Sequence, residues 1–176
     1  MTKTIQVRKA AAADEAAVLR MWQAARERLA AEKIPQWQGE YPAAADFQAD
    51  VQAGIGRVAV MADGTVVGYA AVITTPDPNY AKIDGAWLTA GQPYLAIHRF
   101  VVDGTHLHAG FGRAFMSALL TAAQVAGLPS VRVDTHAQNL PMHRLLADFA
   151  FQHTGTVWMV DSDGTPRDAY ELLFAE

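Results

Sequence analysis

The stretch "FVVDGTHLHAGFGRAFMSALLTAAQVAG", Phe100 to Gly127, sets an apolar strand before an amphipathic helix and places Ala109, Gly110 and Gly112 at the joint. Small residues there let backbone N–H groups at a helix N-terminus come close to an anion. Two nucleotide-binding loops use this device, and both fail on this sequence. A dinucleotide fingerprint starting at Gly110 requires glycine where Phe115 stands, and the other phosphate loop requires a Gly-Lys-Ser/Thr that does not follow. Two explanations remain, a small anion cradle or an ordinary glycine-bearing turn, and the segment alone fits both equally.

Around this stretch, bulk composition limits the choices. The chain has 176 residues, 51% of them hydrophobic, which fits a single domain over residues 1–176 with a full core. It contains no cysteine, which excludes disulfides, thiolate metal sites and a cysteine nucleophile and makes a cytoplasmic location the expectation. The opening "MTKTIQVRKA" lacks the apolar core of a signal peptide, and no apolar run approaches the roughly 20 residues of a spanning helix. A net charge of −4 without a basic run offers little to a nucleic acid backbone. Neither nucleic acid nor membrane is expected as a partner. Six histidines raise a metal site, yet His106 and His108 find no third ligand at a suitable spacing, so no metal is expected.

Period and punctuation give the order of elements. "TIQVRKA" alternates as a strand, and Asp14 caps a helix with Ala17, Val18, Met21, Trp22 and Ala25 on one face, running to about Lys33. Pro42 and Asp46 open a second helix that stops at Gly54. Two strands flank an Asp63-Gly64 turn, and after an irregular stretch a long strand runs from Tyr94 to Val102. The helix from Gly110 to Ala126 presents Phe111, Phe115, Ala118, Leu119 and Ala122 to a sheet. "SVRVDTH", a short helix in "LPMHRLLADFA", and closing strands in "FQHTGTVWM" and "DAYELLF" complete the chain. The order βααβββαβαββ, antiparallel early with one late crossover, differs from the steady alternation of a doubly wound fold.

This order and these residues together resemble the GNAT (GCN5-related) N-acetyltransferases, in particular uncharacterised bacterial members. The family's pyrophosphate pattern, R/Q-x-x-G-x-G/A, stands here as "LHAGFG", with Leu107 in the place of Arg or Gln. "HRFVV" ends at Val102 at the usual distance ahead of it, and "NLPMHRLLADFAF" matches the late Asn, helix and Gly-Phe segment, with Ala150 for the glycine. The resemblance covers nearly the whole chain. It implies an α+β fold with a mixed central sheet of about seven strands, antiparallel except for splayed parallel strands 4 and 5, flanked by about four helices.

The resemblance further implies that acetyl-CoA lies between the splayed strands. Its pantetheine amides would pair with unspent backbone groups of Phe100, Val101 and Val102, as an added strand does. Leu107, His108, Ala109, Gly110, Phe111, Gly112 and Arg113 would hold the pyrophosphate, and Asn139, Met142 and His143 would lie along the coenzyme arm. An acetyltransferase needs a neutral amine, a route for its proton and donors to the developing oxyanion. Strand alternation places Tyr94, Ala96, His98, Phe100 and Val102 on one face, and His98, whose ordinary pKa is near neutrality, is the proposed base; a structural histidine is the alternative. Asn139 is taken as the other catalytic contact. The family's usual tyrosine acid is replaced by Leu146, and Tyr170 is a remote substitute that packing would equally explain.

Trp37, Gln38, Tyr41, Trp87 and Tyr94 are the candidate acceptor-site residues, or else they cap the core or form a dimer face. The function implied is transfer of acetyl from acetyl-CoA to a primary amine of a small molecule, amino acid derivative or peptide, in a ternary complex. The alternative is a coenzyme-binding or scaffold domain without turnover. A homodimer is common in such folds.

Overall fold

The computed structural model of the protein describes residues 4–106, 109–160 and 163–175. Eight strands and four α-helices follow in the order β1 (Ile5–Lys9), α1 (Glu15–Ala31), α2 (Ala44–Ala53), β2 (Gly56–Met61), β3 (Val66–Ile73), β4 (Asp84–Gly85), β5 (Leu95–Val102), α3 (Phe111–Val125), β6 (Ser130–Thr135), α4 (Leu140–Asp148), β7 (Gln152–Trp158) and β8 (Pro166–Leu173). The sheet is mixed, with β5 and β6 parallel and the other described ladders antiparallel. The strand added to the expected seven is the two-residue β4. It pairs Asp84 with Thr156 and Gly85 with Gly155, inside the stretch that shows no periodicity in sequence.

Two compact units divide the chain. The first holds the described residues up to Val72 together with Arg99–Leu119, and the second holds Ile73–His98 together with those from Leu120 on. In the first unit the strands run β1-β2-β3-β5, and in the second β5-β6-β8-β7-β4, with β5 belonging to both.

In the first unit, the Asp63-Gly64 turn closes the β2–β3 hairpin. Asp63 Oδ1 accepts the Thr65 amide at 2.9 Å, and Gly64 takes φ +87°. Helix α2 starts where Asp46 accepts the Ala43 amide at 2.8 Å and stops at Gly54, φ +70°. Asp14 departs from the expected cap. Its carboxylate accepts two bonds at 2.8 Å from the Arg8 guanidinium and one from the Ala11 amide, so it fixes the turn ahead of α1 and makes no side-chain bond to that helix. The core joins Val18, Met21 and Trp22 of α1 to Phe47, Val58, Val60, Tyr69 and Val101. Trp22 meets Tyr69 edge to face at 5.3 Å, the arrangement the ring quadrupoles favour.

The second unit packs Tyr80, Ala96, Val157, Met159 and Ala169 together, with Ile73, Ile83, Trp87 and Tyr94 against them. Within it, β6 is bonded to β8 over its whole length, Ser130↔Leu173 through Thr135↔Asp168. On its other side β6 pairs with β5 only at Leu95↔Val131 and Ala96↔Arg132, although β5 continues to Val102. The parallel ladder therefore ends after Ala96 among the described residues, as expected of strands that part.

Candidate active site

Three sets of residues are built by these elements. The first is the joint between β5 and α3 in the first unit. Asp103 donates its amide to Val67 O at 2.9 Å and accepts the Thr105 amide and hydroxyl, each at 2.8 Å, which turns the chain out of the strand. Gly110 has φ +79°, the left-handed region that only glycine enters at little cost. Gly112 lies in the first turn of α3 with room for a Cβ, the Val102 methyls lying at ordinary contact distance, 3.9 and 4.0 Å, from where it would sit. The first turn of a helix has amides with no intrahelical acceptor, and the macrodipole adds partial positive charge there. Phe111 packs its ring against His106, and Phe100 stacks on Phe115 at 5.3 Å, while Val101 is buried in the first core. Leu107 and His108 lie outside the described residues.

The second set surrounds His98 in the second unit. Nε2 of His98 makes a short contact with Asp77 Oδ2, and Nδ1 lies 3.6 Å from Asp134 Oδ1. Asp77 sits at the mouth of a single turn of 3-10 helix, Pro78–Tyr80, where it also accepts the Asn79 amide at 2.8 Å. Tyr80, from the same turn, donates its hydroxyl to Asp134 at 2.6 Å. Burial pushes the Asp77 carboxyl up, but His98 and the Asn79 amide outweigh it and hold the group below the usual carboxylate range. Burial, and then Asp134, drive the Tyr80 phenol well above its ordinary value, so it remains a donor. Asp77, Tyr80 and Asp134 were not singled out by sequence. They are 21, 18 and 36 positions from His98, inside or beyond a stretch read only as irregular, so no local pattern joined them.

Beyond His98 the expected alternation breaks. Arg99 has φ +55°, unusual for a residue with a side chain, so the one-face assignment of Tyr94 through Val102 does not carry through this position. Within the first unit its carbonyl accepts Trp22 Nε1 at 3.4 Å, and its guanidinium donates to both oxygens of Asp50 at 2.8 and 2.9 Å. Asp50 also accepts the Tyr69 hydroxyl at 2.6 Å.

The third set is at the start of α4. Asn139 is buried, donates Nδ2 to Thr135 Oγ1 at 3.1 Å, and receives the Met142 and His143 amides on its carbonyl. His143 Nε2 lies 3.1 Å from the His136 carbonyl, which only accepts, so in the neutral ring Nε2 carries the proton and Nδ1 accepts from the Tyr170 hydroxyl at 2.7 Å. Leu146 is fully buried and supplies no acid.

The acceptor candidates divide between the units. In the first, the Trp37 carbonyl accepts Arg26 Nε at 3.0 Å, Gln38 donates to Gln36 O at 3.1 Å, and the Tyr41 ring lies 5.5 Å from the Arg99 guanidinium. In the second, Trp87 and Tyr94 clasp the Arg132 guanidinium between their rings at 4.2 and 3.9 Å. Trp87 Nε1 donates to Tyr80 O, and the Tyr94 hydroxyl accepts the Asp77 amide at 2.9 Å. These two aromatics thus have the packing duties that were the alternative to an acceptor role. Among the described residues, no three His, Asp or Glu side chains stand together to hold a metal ion, and no helix is long and apolar enough to cross a membrane.

Strand order, the short parallel β5–β6 ladder and the glycine joint are together those of an acetyl-transferring fold, and the chain belongs to the acetyltransferase (GNAT) family, whose model matches residues 22–151. A GNAT acetyltransferase from Streptococcus agalactiae is similar in structure at a TM-score of 0.88 and 28% identity, covering 100% of this chain and 99% of its own. The acetyltransferase-fold protein yncA from Salmonella typhimurium, solved with its cofactor acetyl-CoA, aligns at a TM-score of 0.69 and 19% identity, covering 98% and 95% of the two chains. A GNAT acetyltransferase from Listeria monocytogenes aligns at 0.75 and 16% identity, covering 99% of each. No curated protein matches the chain.

Proposed function

We propose that this chain, acting as a single domain, transfers an acetyl group from acetyl-CoA to a primary amine of a small molecule, amino acid derivative or peptide, by direct attack in a ternary complex. The observation that supports it most is the ladder that ends after Ala96, on a strand that leads to the Gly110 joint. The backbone edge of a strand beyond the end of its ladder pairs with the amides of a pantetheine arm as it would with another strand. On this proposal Phe100, Val101 and Val102 offer that backbone, and Leu107 through Arg113 receive the pyrophosphate. Asn139, Met142 and His143 flank the arm.

The amine attacks the thioester carbonyl carbon, a C–N bond forms, the C–S bond breaks, and the sulfur keeps the electron pair. His98 takes the proton lost by nitrogen, directly or through water, and the thiolate takes one from solvent, since Leu146 supplies none. Positioning an amine at a thioester contributes several kcal/mol by itself. Trp37, Gln38 and Tyr41 are the proposed acceptor contacts, near a groove of about 630 Å³ edged by Trp22, Arg26, Glu40 and Pro42. Trp87 and Tyr94 are proposed to shape the acceptor pocket while holding Arg132. A second reading, coenzyme binding without turnover, is favoured by the buried Leu146 in the acid's position. Thiol release from acetyl-CoA with a panel of amines tests the first reading. Binding heat with no thiol release from any amine would favour the second, and neither heat nor release would refute both.

A further inference from the structure

We propose that the Asp77–Tyr80 turn is a positioning device that fixes the tautomer of His98, so that Nδ1 is the ring atom that takes the acceptor's proton. This rests on the acetyl-transfer proposal above. Asp77 is the fixed end. Its side chain is 5% exposed, its backbone amide is bonded to the Tyr94 hydroxyl at 2.9 Å, and its Oδ1 accepts the Asn79 amide, which leaves Oδ2 for His98 Nε2. A carboxylate accepts, so Nε2 carries a proton and in the neutral ring the lone pair is on Nδ1. Nδ1 faces Asp134 at 3.6 Å, beyond hydrogen-bond length but close enough for the carboxylate to stabilise the imidazolium formed on proton uptake.

Asp134 is held in turn by Tyr80, which comes from the same turn as Asp77. One short segment thus anchors both carboxylates that face the ring, one setting which nitrogen is basic and the other receiving the charge. The Tyr80 ring also lies 5.4 Å from the imidazole and limits its rotation. Among the described residues, the groups around the ring include Asp77 and Tyr80 from the turn, Asp134 from β6 and, behind them, Tyr94 with Arg132 on its face at 3.9 Å. Asp77, Tyr80 and Asp134 act through His98, and none is assigned a contact with substrate.

The test combines ring 15N NMR with kinetics on the full chain. The His98 ring of the wild type should be the Nε2–H tautomer, and Asp77→Asn, which turns a donor or a weaker acceptor to the ring, should abolish that preference. With an amine that the protein acetylates, Asp77→Asn should lower kcat about tenfold to a hundredfold while KM for acetyl-CoA stays within about twofold. Adding it to His98→Gln should slow the enzyme no further. Asp134→Asn, which removes negative charge beside the imidazolium, should move the acid limb of kcat/KM to lower pH. Tyr80→Phe, which keeps the ring but removes the hydroxyl that donates to Asp134, should move that limb more weakly and the other way, to higher pH. An Nδ1–H tautomer in the wild type, or additive losses in the double variant, overturns the proposal. If the tautomer responds as stated but no amine is acetylated, the tautomer control stands and the proton-accepting role falls with the acetyl-transfer reading.

Discussion

Gly112 stands in the first turn of α3 with nothing closer than the Val102 methyls at 3.9 Å to a would-be Cβ. The fold gives no reason for glycine there, because a helical Gly→Ala change with free space stabilises by up to about 1 kcal/mol. A phosphate approaching the backbone does give one. Gly112→Ala should therefore raise the melting temperature slightly while weakening acetyl-CoA binding at least about tenfold by calorimetry. Raised stability with unaltered affinity would remove this joint from the coenzyme's path. Gly110 differs, since its φ of +79° costs a side chain about 1 kcal/mol before any ligand arrives. Both glycines were legible in the sequence as small residues between a strand and a helix. Arg99 was not, because a positive φ at a non-glycine residue leaves no local signature. It depends on Trp22 and Asp50, 77 and 49 positions away.

At the scale of elements, the strand that most needs its side chains is β8, through Glu171. This wholly buried carboxylate accepts the Leu88 amide at 2.6 Å, the Ser130 hydroxyl at 2.7 Å, Arg132 Nε at 3.1 Å and the Thr89 hydroxyl, tying the Trp87–Thr89 segment to β6 and β8. Burial raises its pKa, but these donors and the Arg132 charge outweigh burial and hold it below the ordinary glutamate value. A carboxyl lowered in the folded state adds stability above its unfolded pKa, and that stability is lost as pH falls through the folded value. Glu171→Gln should cost about 3 kcal/mol at neutral pH, since it leaves Arg132 buried without its countercharge. Thermal melts from pH 7 downward should show the gap to wild type closing in acid, and a constant gap would contradict this. Most elements here were readable in advance. The Asp63-Gly64 turn and the helical periods of α1 and α3 are local signals. The two-residue β4 was hidden because its pairing with β7 depends on two glycine-containing backbones meeting, Gly85 with Gly155.

For the whole molecule, charge and long-range assembly decide what composition alone left open. The chain carries a net −4, and acetyl-CoA is itself a polyanion, so encounter is mildly repulsive, and on the proposal above capture is left to local amides. Raising ionic strength from about 20 to about 150 mM should speed coenzyme association roughly twofold in stopped-flow measurements. A steep loss of affinity with salt would instead assign the phosphates to cationic side chains such as Arg113. Composition and strand order sufficed for the family's architecture, whereas the cluster around His98 joins chain positions 77, 80, 98 and 134 and becomes visible only once β5 and β6 lie side by side.

The ladder that closes at Ala96 has one more effect. Amides and carbonyls along a strand edge beyond the end of its ladder are a template for any extended peptide, which natural sheets usually blunt with charge or proline. In this chain the stretch runs from Ile97 to Val102 and is apolar but for His98, which is engaged by Asp77, and Arg99, whose guanidinium is already spent on Asp50. On the proposal above, bound coenzyme covers these groups, so the chain should be most prone to self-association when the coenzyme is absent.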